Sequence, residues 1–597
     1  MSKIIKRHQL LQFTVFHFMC TIAMFGCVNN LPTPKKPNVI LIVADDQGWG
    51  DLSIHGNPNI QTPNIDAIAL SGASFSNFYV SPVCSPTRAE ILTGRYASRG
   101  GVYSTSAGGE RLNLDEITIA DVFRENGYET AAFGKWHNGM QYPYHPNGRG
   151  FNEFYGFCSG HWGNYFNPML ERNGEIVKGN GFLTDDLVSE ALSFIKHKKE
   201  NPFFVYLPLN TPHSPMQVPD KDWDKFKNKQ IDSTHRFSAR EDLEHTKAAY
   251  ALCENIDWNV GRITTFLDQE KLSKNTIVIY MSDNGPNGWR YNGGLKGIKA
   301  HTDEGGVKVP FFIKWDNVIP KNLTIKNIAG AIDILPTLKE LTGIAFTPEK
   351  SIDGLNLKPL LFGESIEWPD RSIVSYWKGR SSLRTQKFRL DHNNALFDMQ
   401  VDPLQEKDIS NESPAIKNQL IIRKEQWEKD VLAELPIVDN RSFPVGHPDF
   451  IYTQLPARDG LGHGNILRSN KYPNCSFFTN WISQSDSITW DIEVLESGTF
   501  EAAVYYTCKE QSIGTEVIMS FGNNSVSKEI SIAHNPPLIG AKMDRVNRQE
   551  SYVKEFIPLN LGQLKLEKGS NSLKLSTSNM SGEEVMDVRL VMLKRII

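Results

Sequence analysis

Four short apolar segments of this 597-residue chain are typical of strands buried on both faces of a parallel sheet, because they are continuous and rich in β-branched and aromatic residues. These segments are 37–44, 127–133, 202–209 and 276–281. Helical patterns separate them. The alternation predicts an α/β fold with a doubly wound, mostly parallel sheet over residues 38 to about 345.

Polar residues follow these strands, and the carboxyl ends of parallel strands share one edge of the sheet. Asp45 and Asp46 follow the first segment, and Asp283 and Asn284 follow the last. All four offer oxygen ligands, which suit a hard divalent cation, Ca²⁺ or else Mg²⁺, better than zinc. A turn or capping role would explain one Asp well, but an adjacent pair less well.

Lysine and histidine residues follow the two other strands. Lys135 and His137 come after the second segment, and His213 comes after the third. A lone Lys or His is usually a solvated or structurally satisfied side chain. Their shared position after buried strands, on the same edge as the Asp pair, favours a functional role.

Cys84 opens the string Cys84-Ser85-Pro86-Thr87-Arg88, with Leu92-Thr93-Gly94-Arg95 downstream. The residues from 89 onward favour a helix, so Cys84 is expected at a helix N-terminus, where backbone N–H groups help to bind an anion. Taken alone, Cys84 is equally well explained as a small buried residue before a turn. Together the two strings resemble the signature of type I, formylglycine-dependent sulfatases, which belong to the alkaline-phosphatase-like superfamily.

Further segments carry the same resemblance over about residues 37–410. Residues 134–139 resemble the family's G-K-W-H-L-G, with Asn138 in place of Leu, and residues 331–338 resemble its D-L-L-P-T-L helix. Where the family shows G-K-G-T, residues 298–301 keep Lys299 but not its small neighbours.

The resemblance implies a site and a mechanism. A maturation enzyme would oxidise Cys84 to formylglycine, whose hydrate is the nucleophile, and Arg88 would hold this group. Lys135 and Lys299 would contact sulfate oxygens; His213, alone or with Lys299, would protonate the leaving oxygen. His137 would take the proton that lets the aldehyde reform. The implied cation ligands are Asp45, Asp46, Cys84, Asp283 and Asn284.

The expected domains are a signal peptide of lipoprotein type (1–27), a tether (28–37), the catalytic domain (38–345), a smaller C-terminal α+β portion (346–436) and an antiparallel β-sandwich (437–597). The sandwich is expected because apolar and polar residues alternate in 488–494 and 500–506, without intervening helices. It could be a carbohydrate-binding module or a structural appendage. Cys475 and Cys508 could pair in an oxidising compartment.

The N-terminus predicts export. Lys3, Lys6 and Arg7 precede the largely apolar run 10–25, which ends in Met24-Phe25-Gly26-Cys27 and resembles a bacterial lipobox. The expected location is the periplasm or outer membrane of a bacterium, with a lipid on Cys27 as the sole membrane attachment; a plain cleaved signal is the alternative. The net charge of −4 gives no indication of a nucleic-acid partner.

The resulting expectation is a sulfatase acting on oligosaccharides from sulfated polysaccharides, with a sulfated carbohydrate and the maturation enzyme as partners. One alternative is a phosphomonoesterase or phosphonate hydrolase of the same superfamily. Another is an inactive surface lipoprotein that binds sulfated glycans. Candidate subsite residues, each explained at least as well by packing, are His161, Trp162, Trp289, Arg290, His301 and Trp377.

Overall fold

The computed structural model describes residues 36–364 and 366–596. The expected signal peptide and nearly all of the tether lie outside the described residues. Among the described residues, no helix combines the length and apolar character needed to cross a bilayer.

The N-terminal half of the chain, as far as residue 342, is built on one large sheet and its covering helices. The strands are β1 (Asn38–Asp45), β2 (Ala73–Phe75), β3 (Phe78–Tyr79), β4 (Glu129–Lys135), β5 (Glu153–Phe157), β6 (Met169–Arg172), β7 (Glu175–Lys178), β8 (Phe203–Pro212), β9 (Thr276–Ser282), β10 (Phe311–Lys314), β11 (Leu323–Ile325) and β12 (Ala329–Gly330). The helices are α1 (Pro63–Ser71), α2 (Cys84–Thr93), α3 (Ile119–Glu125), α4 (Leu183–Lys198), α5 (Asp220–Trp223), α6 (Leu243–Gln269), α7 (Glu304–Val307) and α8 (Ile334–Thr342).

Ten of these strands form the sheet in the order β11-β2-β10-β9-β1-β8-β4-β5-β6-β7. Its centre, from β9 to β5, is parallel, as predicted. β10 runs antiparallel between β9 and β2, and β6 and β7 add an antiparallel hairpin at the other edge. The sheet is therefore mixed, with a parallel centre.

Strand β1 is buried on both faces because its side chains alternate between two separate cores. Ile40 and Ile42 belong to a core that includes residues of α1, α4 and α6, whereas Leu41 and Val43 belong to one that includes residues of α2, α3 and α8. Helices therefore cover both faces of the sheet.

A smaller part follows the large sheet. It contains helix α9 (Lys358–Leu361), the antiparallel strands β13 (Ile373–Trp377), β14 (Arg380–Arg384), β15 (Phe388–Leu390) and β16 (Leu396–Asp398), and helix α10 (Pro414–Val431). Leu383, Leu390 and Leu396 of the sheet form a small core with Leu420 of α10.

The C-terminal part consists of two further sheets. Its strands are β17 (Phe443–Val445), β18 (Tyr452–Pro456), β19 (Leu461–His463), β20 (Leu467–Arg468), β21 (Phe478–Thr479), β22 (Ser487–Val494), β23 (Gly498–Thr507), β24 (Glu516–Phe521), β25 (Asn524–Glu529), β26 (Ile557–Leu566), β27 (Gly569–Thr577) and β28 (Asp587–Arg595). One sheet has the order β17-β22-β27-β24-β25, with β19 also on β22; the other has β20-β21-β28-β23-β26, with β18 also on β28.

These two sheets share one apolar core, to which Trp490 of β22 and Phe500 of β23 both belong. All pairings are antiparallel except that of β17 with β22. Cys475 and Cys508, whose pairing the sequence left open, are separate buried thiols. We refer to residues 443–595 below as the C-terminal sandwich.

Candidate active site

The charged residues lie together at one edge of the sheet, as the sequence predicts. β1 pairs in parallel with β8 on one side and β9 on the other, so their carboxyl ends lie side by side. Asp45 ends β1, and Asp283 immediately follows β9. Lys135 ends β4, which pairs with the far side of β8.

Three buried carboxylates occupy this edge. The backbone N–H of Asp46 donates to Asp283 Oδ1 at 3.1 Å, and Asn284 Nδ2 donates to Asp46 Oδ1 at 2.8 Å. Asp46 has a φ of 66°, a left-handed conformation that is uncommon outside glycine. Burial raises the pKa of Asp45 well above its ordinary value, with Asp283 and Asp46 adding repulsion and Lys135 opposing it.

Each lysine contacts one carboxylate of the Asp pair. Lys135 Nζ donates to both oxygens of Asp45, at 3.0 and 2.8 Å, and Lys299 Nζ donates to Asp46 Oδ2 at 2.8 Å. Burial lowers the pKa of Lys299, but Asp46 more than offsets this, so the pKa lies above its ordinary value. Both ammonium groups are fixed positive charges beside the acidic edge.

Cys84 is the first residue of α2, as predicted, and is only 3% exposed. Arg88, one turn further along, donates to Asp283 Oδ2 from Nε (3.1 Å) and Nη2 (2.7 Å), and from Nη1 to the carbonyl of Lys135 at 2.7 Å. Arg88 thus bridges the ends of β9 and β4 directly behind Cys84.

His137 is buried with one ring nitrogen fixed and one free. Its Nε2 lies 2.8 Å from the carbonyl oxygen of Thr105, which can only accept, so Nε2 carries the proton. Nδ1 is buried and has no hydrogen-bond partner among the described residues. Burial, assisted by Lys135, holds the pKa of His137 well below its ordinary value. The ring is therefore neutral at pH 7, with a free lone pair on Nδ1.

His213 is oriented in a similar way. Its Nδ1 donates to the carbonyl of Ser214 at 2.6 Å, and its Nε2 lies 3.5 Å from Asp46 Oδ2. Burial and Lys299 hold the pKa of His213 well below its ordinary value, against the attraction of Asp46. The ring of His161 stacks on it with 5.9 Å between centroids.

A cleft of about 570 Å³ opens above this edge. Asp46, Cys84, His137, His213 and Lys299 all line it. Of the six candidate subsite residues, three line it as well: His161, Trp289 and Trp377. Trp162 lines a separate groove, and the fully buried Arg290 pairs with Asp51 at 2.7 Å, so neither belongs to the cleft. His301 packs beside Trp289, with 5.9 Å between ring centroids.

The family model for sulfatases matches residues 37–344, more than half of the chain. The chain belongs to the sulfatase family. It is therefore a sulfuric ester hydrolase.

Relatives of known activity and structure agree with this. The N-acetylgalactosamine-6-sulfatase of Canis lupus familiaris is 31% identical over 379 residues, which cover 58% of this chain and 69% of the relative. The crystal structure of Ps i-CgsB in complex with k-i-k-neocarrahexaose is 32% identical, with a TM-score of 0.61, covering 66% of this chain and 93% of that one. The phosphonate monoester hydrolase of Agrobacterium radiobacter shares the fold alone, at 20% identity and a TM-score of 0.52, over 66% and 96% of the two chains.

The residues of this sulfatase fit the divalent cation that the family uses. Possible ligand atoms of Asp45, Cys84 and Asp283 lie within 4.8 Å of one another. The buried Oδ1 of Asn284 has no hydrogen-bond partner among the described residues, while its Nδ2 is engaged by Asp46. An oxygen-rich donor set with a free amide oxygen suits a hard cation. A second group, Asp45, Asp46 and His213, includes a histidine that zinc would accept.

Another buried cluster, His145, Cys158 and Glu171, also has its ligand atoms within 4.8 Å. His145 Nδ1 accepts from the backbone N–H of Asn147 at 3.2 Å, so the ring proton is on Nε2, which faces Glu171 at 3.6 Å. Cys158 Sγ donates to Glu171 Oε1 at 3.0 Å. Burial and the Glu171 carboxylate raise the pKa of Cys158 well above its ordinary value, so the thiol keeps its proton, which argues against a metal there.

Several residues of the cleft could not be predicted from the sequence. Arg240, Asp242 and His245 come from the start of α6 and the loop before it, and segments 472–474 and 546–550 come from the C-terminal sandwich. None of these belongs to a motif, and polar loop residues give no periodic signal, so the sequence alone offered no way to find them.

Proposed function

We propose that this sulfatase hydrolyses sulfate esters on oligosaccharides derived from sulfated polysaccharides. The observation that carries the proposal is the open cleft of about 570 Å³ over Cys84 and Lys299, a volume typical of pockets that enclose most of a ligand of drug size. Two relatives support it: one is an N-acetylgalactosamine-6-sulfatase, and the other was crystallised with k-i-k-neocarrahexaose.

We propose formylglycine, made from Cys84, as the nucleophilic group. When present, it supplies a hydrated aldehyde, one hydroxyl of which attacks sulfur while the other allows the aldehyde to reform. Position 84 is suited to this because it lies at the N-terminus of a ten-residue helix and within ligand distance of Asp45 and Asp283. Arg88 holds the Asp283 carboxylate in place by two hydrogen bonds.

The proposed cation, Ca²⁺ or Mg²⁺, would be held by Asp45, Asp46, Asp283, Asn284 and position 84, and would supply positive charge to the sulfate and the nucleophile. Lys135 and Lys299 would add fixed positive charge for the sulfate oxygens. With Asp45 and Asp46 holding the cation, each ammonium would be free to leave its carboxylate and contact the substrate.

The two histidines have different tasks in this proposal. His137 has a free lone pair on Nδ1 and a pKa held low by burial, so it can accept the proton of the second hydroxyl at neutral pH. His213 points Nε2 toward the Asp46 side of the cleft and, once protonated beside the anionic ester, donates to the leaving oxygen. Lys299 also lines the cleft and shares this role.

Two measurements test the proposal. Mass spectrometry of the peptide containing Cys84 distinguishes formylglycine from unmodified cysteine. Sulfate release is then measured for a neocarrahexaose, a chondroitin 6-sulfate tetrasaccharide and 4-methylumbelliferyl sulfate, and phosphate release is measured for 4-methylumbelliferyl phosphate. Unmodified Cys84 with no release from any substrate would favour a protein that only binds sulfated glycans. A preference for the phosphate would favour the phosphomonoesterase alternative.

We also propose that the protein is exported and anchored by a lipid on Cys27. The basic residues Lys3, Lys6 and Arg7, the apolar run and the Met24–Cys27 string support this. Labelling of expressing bacteria with a palmitate analogue tests it: the wild type should be labelled and sediment with membranes, whereas Cys27→Ser should lose both properties. Unlabelled wild type would indicate a plain cleaved signal.

A further inference from the structure

Three parts of the chain border the cleft above Cys84, and the smaller middle part contributes Trp377 of β13. One wall comes from the large sheet and its loops, including Arg240 and Trp289. The other comes from the C-terminal sandwich: segment 472–474 lies between β20 and β21, and segment 546–550 lies between β25 and β26. The sandwich therefore borders the same space as the proposed catalytic groups.

The sandwich wall is fixed to the catalytic part by hydrogen bonds on both segments. Cys475 Sγ donates to the carbonyl of His161 at 2.9 Å, and Arg548 Nη1 donates to the carbonyl of Gly163 at 2.5 Å. The backbone N–H of Arg545 donates to the carbonyl of Met216 at 3.0 Å. The wall is thus preorganised, which lowers the entropy cost of binding a ligand against it.

A buried ion pair and two hydrogen bonds also join the C-terminal sandwich to the catalytic part. Arg458 Nη2 lies 3.0 Å from Glu110 Oε1, and both side chains are 1% exposed. Gln454 Nε2 donates to Glu171 Oε2 at 2.6 Å, and Gln141 Nε2 donates to the carbonyl of Gln454 at 2.9 Å. An interface with this many buried polar contacts is not that of an independently tethered module.

The two walls differ in chemistry. On the catalytic wall, the Arg240 guanidinium lies 5.1 Å from the centroid of Trp289 and has no ion-pair partner among the described residues. On the sandwich wall, Arg548 is neutralised by Asp544, and Tyr472, Asn547 and Gln549 are exposed beside the half-buried carboxylate of Glu550. Tyr472 is 40% exposed, and its hydroxyl lies 3.4 Å from Gln549 Oε1.

We propose that Tyr472, Asn547 and Gln549 form a binding subsite for the sugar linked to the sulfated one, so that the C-terminal sandwich determines which oligosaccharides the active site accepts. The inference rests on the proposed function. A phenol ring and two amides match the hydroxyls and apolar faces of a sugar ring, whereas the positive charge for sulfate lies on the opposite side, at Lys135, Lys299 and Arg240.

The test uses the full-length protein and three variants. Tyr472→Ala and the double variant Asn547→Ala/Gln549→Ala remove the subsite. Asn523→Ala, in the exposed turn between β24 and β25, is the matched control because it lies on the sandwich but away from the cleft. The probes are a neocarrahexaose, a chondroitin 6-sulfate tetrasaccharide and 4-methylumbelliferyl sulfate.

For each variant, the ratio of kcat/KM on the better oligosaccharide to kcat/KM on the aryl sulfate is measured. We expect the ratio to fall about tenfold or more for the double variant, mainly through KM, and to remain within twofold for Asn523→Ala. A ratio unchanged in both subsite variants, or losses of equal size on both substrates, would overturn the subsite.

The proposed function fails in a different way. Wild-type protein that hydrolyses the aryl sulfate but neither oligosaccharide would refute the proposed glycan substrate, and with it the subsite. Wild-type protein that is active on an oligosaccharide, with subsite variants indistinguishable from Asn523→Ala, would refute the subsite alone.

Discussion

His137 and Asn474 are held by the same acceptor, the carbonyl oxygen of Thr105. His137 Nε2 lies 2.8 Å from this oxygen, and Asn474 Nδ2 lies 3.4 Å from it. Gly160 fits between the two side chains, where a Cβ would approach His137 Nε2 to 2.5 Å and Asn474 Nδ2 to 2.6 Å. A residue of the C-terminal sandwich thus helps to orient the proposed base of the catalytic edge.

Asn474→Ala should lower kcat roughly tenfold, because the Thr105 carbonyl loses its second donor and His137 is positioned less well. KM should change little, since the substrate is not expected to contact Asn474 through this bond. Steady-state kinetics on 4-methylumbelliferyl sulfate measure both. Asn523→Ala is the control for an asparagine of the same sandwich. An unchanged kcat in a folded Asn474→Ala protein would show that Asn474 has no positioning role.

Cys84→Ala should fold normally but lose sulfate release by on the order of 10³-fold or more, because the variant has no formylglycine and the site offers no other nucleophile of this kind. Loss of activity must be accompanied by an unchanged Tm, since Cys84 is a small side chain. Retention of most activity would refute the assignment. Cys84→Ser should also be inactive unless the maturation machinery of the host accepts serine.

Asp283→Ala should lower both stability and activity. Removing this carboxylate takes away the nearer ion-pair partner of the buried Arg88 guanidinium, at 2.7 Å, and leaves only Asp45 at 3.8 Å; breaking a buried pair typically costs about 3–5 kcal/mol. It also removes a proposed cation ligand. Thermal unfolding and sulfate release are measured in parallel.

A chelator distinguishes the loss of the ion pair with Arg88 from the loss of the cation. A chelator should lower the Tm and activity of the wild type, with Ca²⁺ or Mg²⁺ restoring both, but should leave the Tm of Asp283→Ala nearly unchanged. Rescue by Zn²⁺ alone would instead favour a site that includes His213, as in the phosphatase-type alternative.

The sequence was sufficient for the parallel centre of the sheet and for its charged edge. Asp45, Lys135 and Asp283 end or follow continuous apolar runs. The pattern of apolar residues is the strongest local signal of secondary structure that a sequence carries. The sequence could not show that Lys135 and Lys299 each contact a carboxylate, because this depends on side-chain geometry across separate strands. β5 and the β6–β7 hairpin were also missed, since their segments are short and carry charged residues.

In the C-terminal sandwich, the sequence predicted strands but not the sheet to which each strand belongs. Alternation predicted strands near 488–494 and 500–506, and the structure confirms them as β22 and β23. Their connecting turn, however, joins two different sheets rather than forming a hairpin. Turn residues mark where the chain reverses, but they do not say which sheet the next strand enters.

The lowered pKa of His55 makes the free energy of unfolding depend on pH. Burial holds the pKa of His55 at about 4, against the hydrogen bond that its Nδ1 donates to the carbonyl of Trp49 at 2.6 Å. The unfolded chain therefore binds a proton near pH 6.5 that the folded protein does not, so the free energy of unfolding should fall as the pH decreases from 6.5 toward 4. His55→Gln should show a smaller decrease in Tm between pH 7.5 and pH 5 than the wild type. An equal or larger decrease would contradict this.

Deletion of residues 437–597 tests whether the sandwich is a separable module. We expect the truncated protein to lose solubility and activity on both aryl sulfate and oligosaccharide, because Glu110 would lose Arg458 and the wall of the cleft would be absent. Arg458→Ala gives a milder version that should still fold, with a lower Tm and reduced activity on both substrates. If the truncated protein instead remains soluble, keeps its aryl sulfatase activity and loses efficiency on polymeric substrate alone, the sandwich is an independent glycan-binding module that acts by raising effective concentration.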